Sequence, residues 1–325
     1  MALKPVDEAH ALQIQAGAIG RKIGHAFESL IAHRINSLAV PFVVPARITS
    51  HVVTGDPAEL LLAYIAQQKR FKTVARASAI STGALATSEA GKQWLTVNGV
   101  AVSQCKSDLV VTIEDDKKRS VTIGVSTKQC NNAKPTNAQL YFSTARGFAN
   151  LLRKHGIMVS DRAILSLRQF CGDAGFRPMD DNAVLRGRKV DPRRFFWEEI
   201  DPRGKAEWER LFAAEQANIS RLLFQKAYID DPFTPEFIIH KTRKASSWGR
   251  TEAAIYSIEE LIDLSMKYQG FATKPYSVRK GSHKDPKGVH HLAPRFGIIQ
   301  MQRGGQKQHP EQLQFNLEAG YFYKI

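Results

Sequence analysis

Asp108 and the triplet Ser126-Thr127-Lys128 are the candidate catalytic residues of this sequence. Asp108 opens one β-rich run and Lys128 closes the next, with a polar connection between them, which predicts a β-hairpin. Antiparallel neighbours bring such strand ends within several ångströms of each other. The two-residue period of a strand places Ser126 and Lys128 on one face and Thr127 on the other. We therefore expect a carboxylate, a hydroxyl and an ammonium group to converge.

This combination of groups suits phosphodiester hydrolysis. A carboxylate can hold Mg²⁺, a hard cation that prefers oxygen ligands and retains several waters. The metal acidifies bound water and stabilises negative charge in the transition state. A neighbouring lysine can assist the attacking water and offset charge at the phosphate.

The chain resembles the PD-(D/E)xK nuclease superfamily, and within it the type II restriction endonucleases. The resemblance rests on Ser107-Asp108, the hairpin, the stretch Gly124–Lys128 and the flanking helices, and it covers roughly residues 14–155. It implies an α/β fold of the restriction-endonuclease kind, with a mixed central sheet flanked by helices and an additional α+β region for DNA recognition.

The resemblance also implies roles for particular residues. Asp108 corresponds to the first acid, Lys128 to the lysine that assists the water, and Glu28 to a glutamate on the preceding helix. The main-chain carbonyl of Thr127 would complete the protein ligands of Mg²⁺ together with Asp108 and Glu28. Ser126 stands where the family has its second acid.

The missing second acid has no local replacement, because residues 129–154 contain neither Asp nor Glu. We expect Glu28 to compensate, with Ser126 or Gln139 as a weaker oxygen donor. The alternative is that Lys128 is an ordinary strand-end cation, Asp108 a turn residue and Glu28 a solvated helix residue.

The elements that would position these residues follow from hydrophobic periodicity and from capping residues. Leu12, Phe27, Leu30, Ile31 and Ile35 belong to the apolar stripe of the first helix. The predicted helices span 10–38, 56–69 (with Asp56 as N-cap), 136–155, 205–227 and 257–268 (with Ser257 as N-cap and Glu260 in the capping-box position). Residues 161–170 are of uncertain type, and 172–194 form a loop or a domain connection.

Composition limits the functional class. The 325 residues include 46 Lys and Arg against 31 Asp and Glu, giving a net charge of +15. No apolar run is long enough for a membrane helix, and no secretory signal is visible, so we expect a cytoplasmic protein. Cys105, Cys130 and Cys171 show no metal or disulfide spacing. No phosphate-loop motif is present, which argues against an ATP-driven activity.

The positive charge favours a nucleic-acid partner, because Lys and Arg gain free energy by releasing counterions at phosphates. Residues 240–310 carry thirteen Lys and Arg against five Asp and Glu. Six residues are predicted to contact DNA. Two lie near Glu28 on the first helix, one follows the hairpin, and three lie at a late turn that follows a strand. They are Arg21, His25, Gln139, Arg303, Gln306 and Lys307.

These observations predict a Mg²⁺-dependent type II restriction endonuclease that binds double-stranded DNA as a homodimer. The predicted division is a nuclease core over residues 1–235 and a basic recognition or dimer region over 236–325. Two alternatives remain open: a repair or phage-defence nuclease with little sequence specificity, and a catalytically inactive DNA- or RNA-binding protein.

Overall fold

The computed structural model describes residues 24–44, 48, 50–82, 96–97, 100–101, 105–186, 191–227, 229–231, 233–279, 283–303, 312–318, 320–321 and 324. The chain forms two compact units. The first unit comprises residues 12–138, 224–264 and 319–325, and the second comprises 1–11, 139–223 and 265–318. None of the described helices is long and apolar enough to cross a membrane.

The elements alternate between strands and helices along the chain. The strands are β1 (Phe42–Val43), β2 (Val52–Gly55), β3 (Thr73–Val74), β4 (Arg76–Ser81), β5 (Thr96–Val97), β6 (Val100–Ala101), β7 (Leu109–Glu114), β8 (Ser120–Gln129), β9 (Ala138–Thr144), β10 (Pro235–Lys241), β11 (Thr251–Ser257), β12 (Phe271–Tyr276), β13 (His291–Phe296), β14 (Ile299–Arg303) and β15 (Gln312–Leu317). The helices are α1 (24–37), α2 (Pro57–Gln68), α3 (Ala145–Lys154), α4 (Asp161–Cys171), α5 (Asn182–Leu185), α6 (Pro202–Ala214), α7 (Gln216–Gln225) and α8 (Ile258–Ser265).

A six-stranded sheet in the order β2-β11-β10-β8-β7-β4 forms the centre of the first unit. β8 and β10 run parallel, while the other neighbouring pairs run antiparallel. The predicted hairpin is present as β7 and β8. The predicted α/β fold with a mixed central sheet and flanking helices is therefore confirmed.

Helices α1 and α2 bury their apolar faces on this sheet. Phe27, Ile31 and Ile35 of α1 lie in one core with Leu109, Val111 and Ile113 of β7. Burial of each such side chain contributes roughly 1.5–3 kcal/mol. Leu30, expected on the apolar stripe of α1, is 40% exposed because it lies on the opposite helix face. The part of the predicted helix before residue 24 lies outside the described residues.

The predicted caps of α2 and α8 are largely confirmed. Asp56 accepts the main-chain N–H of Ala58 at the start of α2. At α8, the Ser257 hydroxyl accepts the N–H of Glu260. The side chain of Glu260 does not return this bond, because it accepts the Tyr64 hydroxyl, which itself accepts the N–H of Ser257.

The second unit contains a five-stranded sheet in the order β12-β13-β14-β15-β9, with helices α3 to α7. Stacked rings form its core, with Phe148, Trp208, Phe212 and Phe296 all buried. The aromatic side chains thereby remove large apolar surfaces from water.

Several predicted elements of the second unit need correction. The helix expected over 136–155 begins only at Ala145, and the preceding residues form β9, which pairs with β15 in the five-stranded sheet. Thr144 caps α3 by accepting the N–H of Gly147. The helix expected over 205–227 is two helices with a break at Glu215. Residues 161–170, left uncertain, form α4.

The division of the chain differs from the predicted boundary at residue 235. β10 and β11 follow that boundary, yet they supply two strands of the six-stranded sheet. Residues 172–194 connect elements within the second unit rather than between domains. Segments on both sides of the predicted boundary share one sheet, because β10 pairs with a strand more than a hundred residues earlier.

Candidate active site

Asp108 is held in the sheet at the open end of the β7–β8 hairpin. Its N–H donates to the carbonyl of Val125 on β8, at 2.9 Å, and its carbonyl accepts the N–H of Thr82, at 3.0 Å. The preceding residue, Ser107, is buried against Gly124. A Cβ at Gly124 would overlap the Ser107 hydroxyl and lie 2.8 Å from the carbonyl oxygen of Thr234. A glycine is therefore required for this close approach.

Oxygen Oδ2 of Asp108 collects three contacts from the end of β8. The N–H of Thr127 donates to it at 2.7 Å, and the Ser126 hydroxyl donates at 3.1 Å. The ammonium of Lys128 lies 3.4 Å away and also donates to Ser126 Oγ, at 3.1 Å, and to the Thr127 carbonyl, at 2.8 Å. The predicted convergence of carboxylate, hydroxyl and ammonium is therefore present.

Thr127 connects this cluster to Glu28 on α1. Its side chain leaves the opposite face of the strand, as predicted, and its hydroxyl donates to Oε1 of Glu28 at 3.3 Å. Glu28 is 8% exposed, and its Oε2 atom has no hydrogen-bond partner among the described residues. One residue therefore bonds to both acids, through its main chain on one side and its side chain on the other.

The environment of Glu28 disfavours its charge. Burial, and after it the nearby charge of Asp108, raise the pKa of Glu28 to about 7, against smaller opposing effects of Lys128 and of the Thr127 hydrogen bond. A buried carboxylate beside another carboxylate is costly unless a cation neutralises the pair. The surroundings of Glu28 therefore do not fully compensate the negative charge of its ionised form.

Two further basic residues near the site were not predicted. Lys106 is partly buried, and burial together with Lys128 lowers the pKa of Lys106 to about 7. His240 on β10 is fully buried and lies directly opposite Lys128 in the parallel pairing. Burial, with a smaller effect of Lys128, lowers the pKa of His240 to about 3, so its ring is neutral at pH 7.

A sequence signal existed for one of these two residues. Lys106 precedes Asp108 by two residues, so the period of a strand places both on the same face. No comparable signal marked His240, because its proximity to Lys128 depends on a parallel pairing between distant segments.

The predicted DNA-contacting residues are not all brought together. His25 lies on α1, one helical turn before Glu28. Gln139 lies on β9 of the second unit, where its side-chain carbonyl accepts an N–H of Gln314 at 2.6 Å. Arg303 ends β14 in the same unit, where burial lowers its pKa to about 10. Arg21, Gln306 and Lys307 lie outside the described residues.

The donor set matches a hard cation better than a soft one. Among the described residues, no three or more His, Cys, Asp and Glu side chains are grouped so as to hold a metal ion. The carboxylates of Asp108 and Glu28 nevertheless both accept hydrogen bonds from Thr127, whose main-chain carbonyl is a further oxygen at the site. No described residue donates to Oδ1 of Asp108 or Oε2 of Glu28. Mg²⁺ is commonly bound through one or two carboxylates, with water and substrate oxygens as the remaining ligands.

Comparison with solved structures shows a weak structural similarity to a restriction endonuclease. No family model matches the sequence, and no curated protein sequence matches it. The crystal structure of restriction endonuclease MspI in complex with its cognate DNA is similar with a TM-score of 0.40 and 11% sequence identity, over 74% of this chain and 70% of that chain. At this level of similarity, the function must be inferred from the site residues themselves.

Proposed function

We propose that this chain is a Mg²⁺-dependent endonuclease that hydrolyses phosphodiester bonds in double-stranded DNA, of the type II restriction kind. The observation that carries the proposal is the convergence of Asp108, Lys128 and Glu28 around Thr127. Acids without a full set of hydrogen-bond donors, next to a lysine, are suited to bind a cation and a phosphate together.

Asp108, Glu28 and the carbonyl of Thr127 would hold the metal. When bound, Mg²⁺ supplies an acidified water and stabilises negative charge on the phosphate. The two carboxylates offer the oxygens that have no described donor. The raised pKa of Glu28 supports this assignment, because a cation is what would favour its charged form.

Lys128 would act on the phosphate and on the attacking water. Its ammonium donates to the Thr127 carbonyl, so coordination of a metal by this oxygen would repel the ammonium, whereas its contact with Asp108 Oδ2 leaves Oδ1 for the metal. Ser126 Oγ, 3.1 Å away, remains as an acceptor that keeps Lys128 at the strand end. Lys106, whose pKa is lowered to about 7, would be favoured in its charged form by a phosphate bound beside it.

The positive charge of the chain supports DNA as the substrate. A net charge of +15 favours a polyanion, and Lys and Arg gain affinity through counterion release. Site specificity and a homodimer form part of the proposal, because a two-fold symmetric pair suits cleavage of both strands of a palindrome.

Digestion of phage DNA with Mg²⁺ or with EDTA tests the proposal. Wild-type protein should give discrete fragments with Mg²⁺ and none with EDTA, and Asp108→Ala and Lys128→Ala should each abolish the fragments. Asp116→Ala and Lys117→Ala are matched controls, since both residues are exposed at the far end of the same hairpin.

The remaining outcomes separate the alternatives. A smear that depends on Mg²⁺ would indicate a nuclease without site specificity. Intact DNA together with retained DNA binding would indicate an inactive DNA-binding protein, the function favoured by Ser126 in the place of a second acid.

A further inference from the structure

The described part of the loop between β12 and β13, residues 277–279 and 283–290, carries an uneven distribution of charge. Arg279, Lys284 and Lys287 are exposed, and none of them forms an ion pair with a described residue. Lys274 is exposed on the adjacent edge strand β12. Asp285 is the only acid between residues 271 and 290. The exposed charged side chains in the described part of this loop are therefore all cationic.

Asp285 does not offset the surface charge, because it is used inside the loop. Its side chain has no exposed area. Oδ2 accepts the N–H of Val278 at 2.5 Å, while Oδ1 lies 3.0 Å from Nε2 of His291 and 3.3 Å from Nε2 of His283. These hydrogen bonds lower the pKa of Asp285 even though burial opposes the shift.

His291 connects the loop to the body of the second unit. It is 3% exposed at the start of β13, and its ring stacks on Phe196. Its Nδ1 atom lies 2.9 Å from Oε1 of Glu198, and its Nε2 atom faces Asp285. Its two ring nitrogens therefore face two carboxylates, one of Glu198 and one of Asp285.

Two further hydrogen bonds join described residues of the loop. The N–H of Asp285 donates to the carbonyl of Val278 at 3.0 Å, and the hydroxyl of Ser277 donates to the carbonyl of Val289 at 2.8 Å. A loop that is ordered before binding loses less conformational entropy when it binds a partner. The exposed Lys and Arg side chains therefore extend from backbone that is hydrogen-bonded before a partner binds.

We infer that this loop, with Lys274, is a phosphate-contacting surface for duplex DNA. The surface lies in the second unit and is distinct from the acids and lysine of the first. The inference depends on the proposed function only in naming DNA as the polyanion. Its contacts are to the DNA backbone, which fix position on the duplex and carry no sequence information.

Salt-dependent binding of a labelled DNA duplex in EDTA tests this inference without cleavage. In the variant Arg279→Gln/Lys284→Gln/Lys287→Gln, the slope of log Kobs against log[salt] should flatten by roughly 2–3, since each lost phosphate contact removes about 0.9. Affinity at low salt should fall by more than tenfold. The control Lys72→Gln/Lys117→Gln/Lys118→Gln removes three exposed cations from the first unit and should bind like wild type.

The outcomes distinguish this inference from the proposed nuclease function. An unchanged slope in the loop variant would overturn the inference, and so would an equal loss in the control. Equal wild-type affinity for a single-stranded RNA of the same length would overturn duplex DNA as the partner. Absence of cleavage in Mg²⁺ would refute the nuclease and leave the binding result intact.

The variant Asp285→Asn tests the contribution of the hydrogen bonds within the loop separately from that of its positive charges. It keeps the cations and removes the charge that holds His291. Amide exchange within 283–290 should accelerate and affinity should fall, but less than in the triple variant, while the salt slope should stay near the wild-type value. Faster exchange with unchanged affinity would show that preorganisation does not contribute.

Discussion

The two ends of the β7–β8 hairpin each carry an aspartate, and the two aspartates are satisfied in different ways. At the closed end, Oδ1 of Asp115 accepts the N–H groups of Lys117 and Arg119, and Oδ2 pairs with the Arg119 guanidinium at 3.1 Å. At the open end, Asp108 receives its three contacts at Oδ2 alone.

The source of the partners also differs between the two ends. Asp115 is satisfied by residues within four positions of it, and hydrogen bonds from Arg119 and Lys117 lower its pKa although burial opposes this. The open end brings together Asp108, Glu28, Lys128 and His240, which are distant in sequence. There, burial raises the pKa of Glu28 to about 7. Asp115 is thus satisfied within its own turn, whereas the open end draws its acids from distant segments, as the metal site in our proposal requires.

The largest expected difference between the ends is in catalysis. Asp108→Asn keeps the size of the side chain but removes the charge that would bind the cation, so the single-turnover cleavage rate should fall by about a thousandfold. Asp115→Asn should change that rate by less than about twofold, because the turn does not contact the substrate in our proposal. Similar rates for the two variants would remove the functional distinction between the ends.

The second prediction concerns the buried charge of Glu28. A carboxyl group whose folded pKa is raised contributes stability that is full below its ordinary value of 4.5 and is lost as the pH rises through about 7. Without metal, Glu28→Gln should therefore unfold with a free energy higher than wild type by up to about 3 kcal/mol at pH 8. Most of this difference should be gone near pH 4.5.

Denaturant unfolding in EDTA at several pH values measures this difference. The same variant should lose most of the stabilisation that Mg²⁺ gives to wild type, because binding to the folded state alone raises its stability. A Glu28→Gln variant that is less stable than wild type at pH 8 would contradict the assignment of Glu28 as an uncompensated acid.

The third prediction concerns the missing second acid. Ser126 is buried and donates to Asp108, so Ser126→Asp would place another carboxylate next to that of Asp108. Without metal, like-charge repulsion should lower Tm, and with Mg²⁺ the increase in Tm should exceed that of wild type. Ser126→Asn, of similar size and without charge, is the control and should not enhance the response to Mg²⁺.

The residues of the open end were only partly predictable from sequence. Asp108, Ser126 and Lys128 follow from a two-residue period and a short antiparallel connection, both local properties. Glu28 came from a family resemblance, since nothing local relates a helix residue to a strand end. His240 and β10 were missed because parallel pairing between distant segments leaves no mark at short range. Residues 138–144 were assigned to a helix because their apolar residues continue into the stripe of α3, whereas pairing in the second sheet makes them a strand.

The smallest predicted effect is at the closed end, where the sign of the pH dependence is reversed. A carboxyl group whose folded pKa is lowered contributes stability that is present above its ordinary value of 3.8 and is lost as the pH falls. Asp115→Asn should therefore lower Tm at pH 7 by a few degrees and should approach the wild-type value in acid, whereas Glu28→Gln in EDTA should raise Tm as the pH increases. Thermal melts of both variants across pH 3–8 test this opposition. If both variants shifted Tm in the same direction with pH, the environments of Asp115 and Glu28 would perturb the two pKa values in the same direction. The contrast between the closed and the open end of the hairpin would then have no energetic basis.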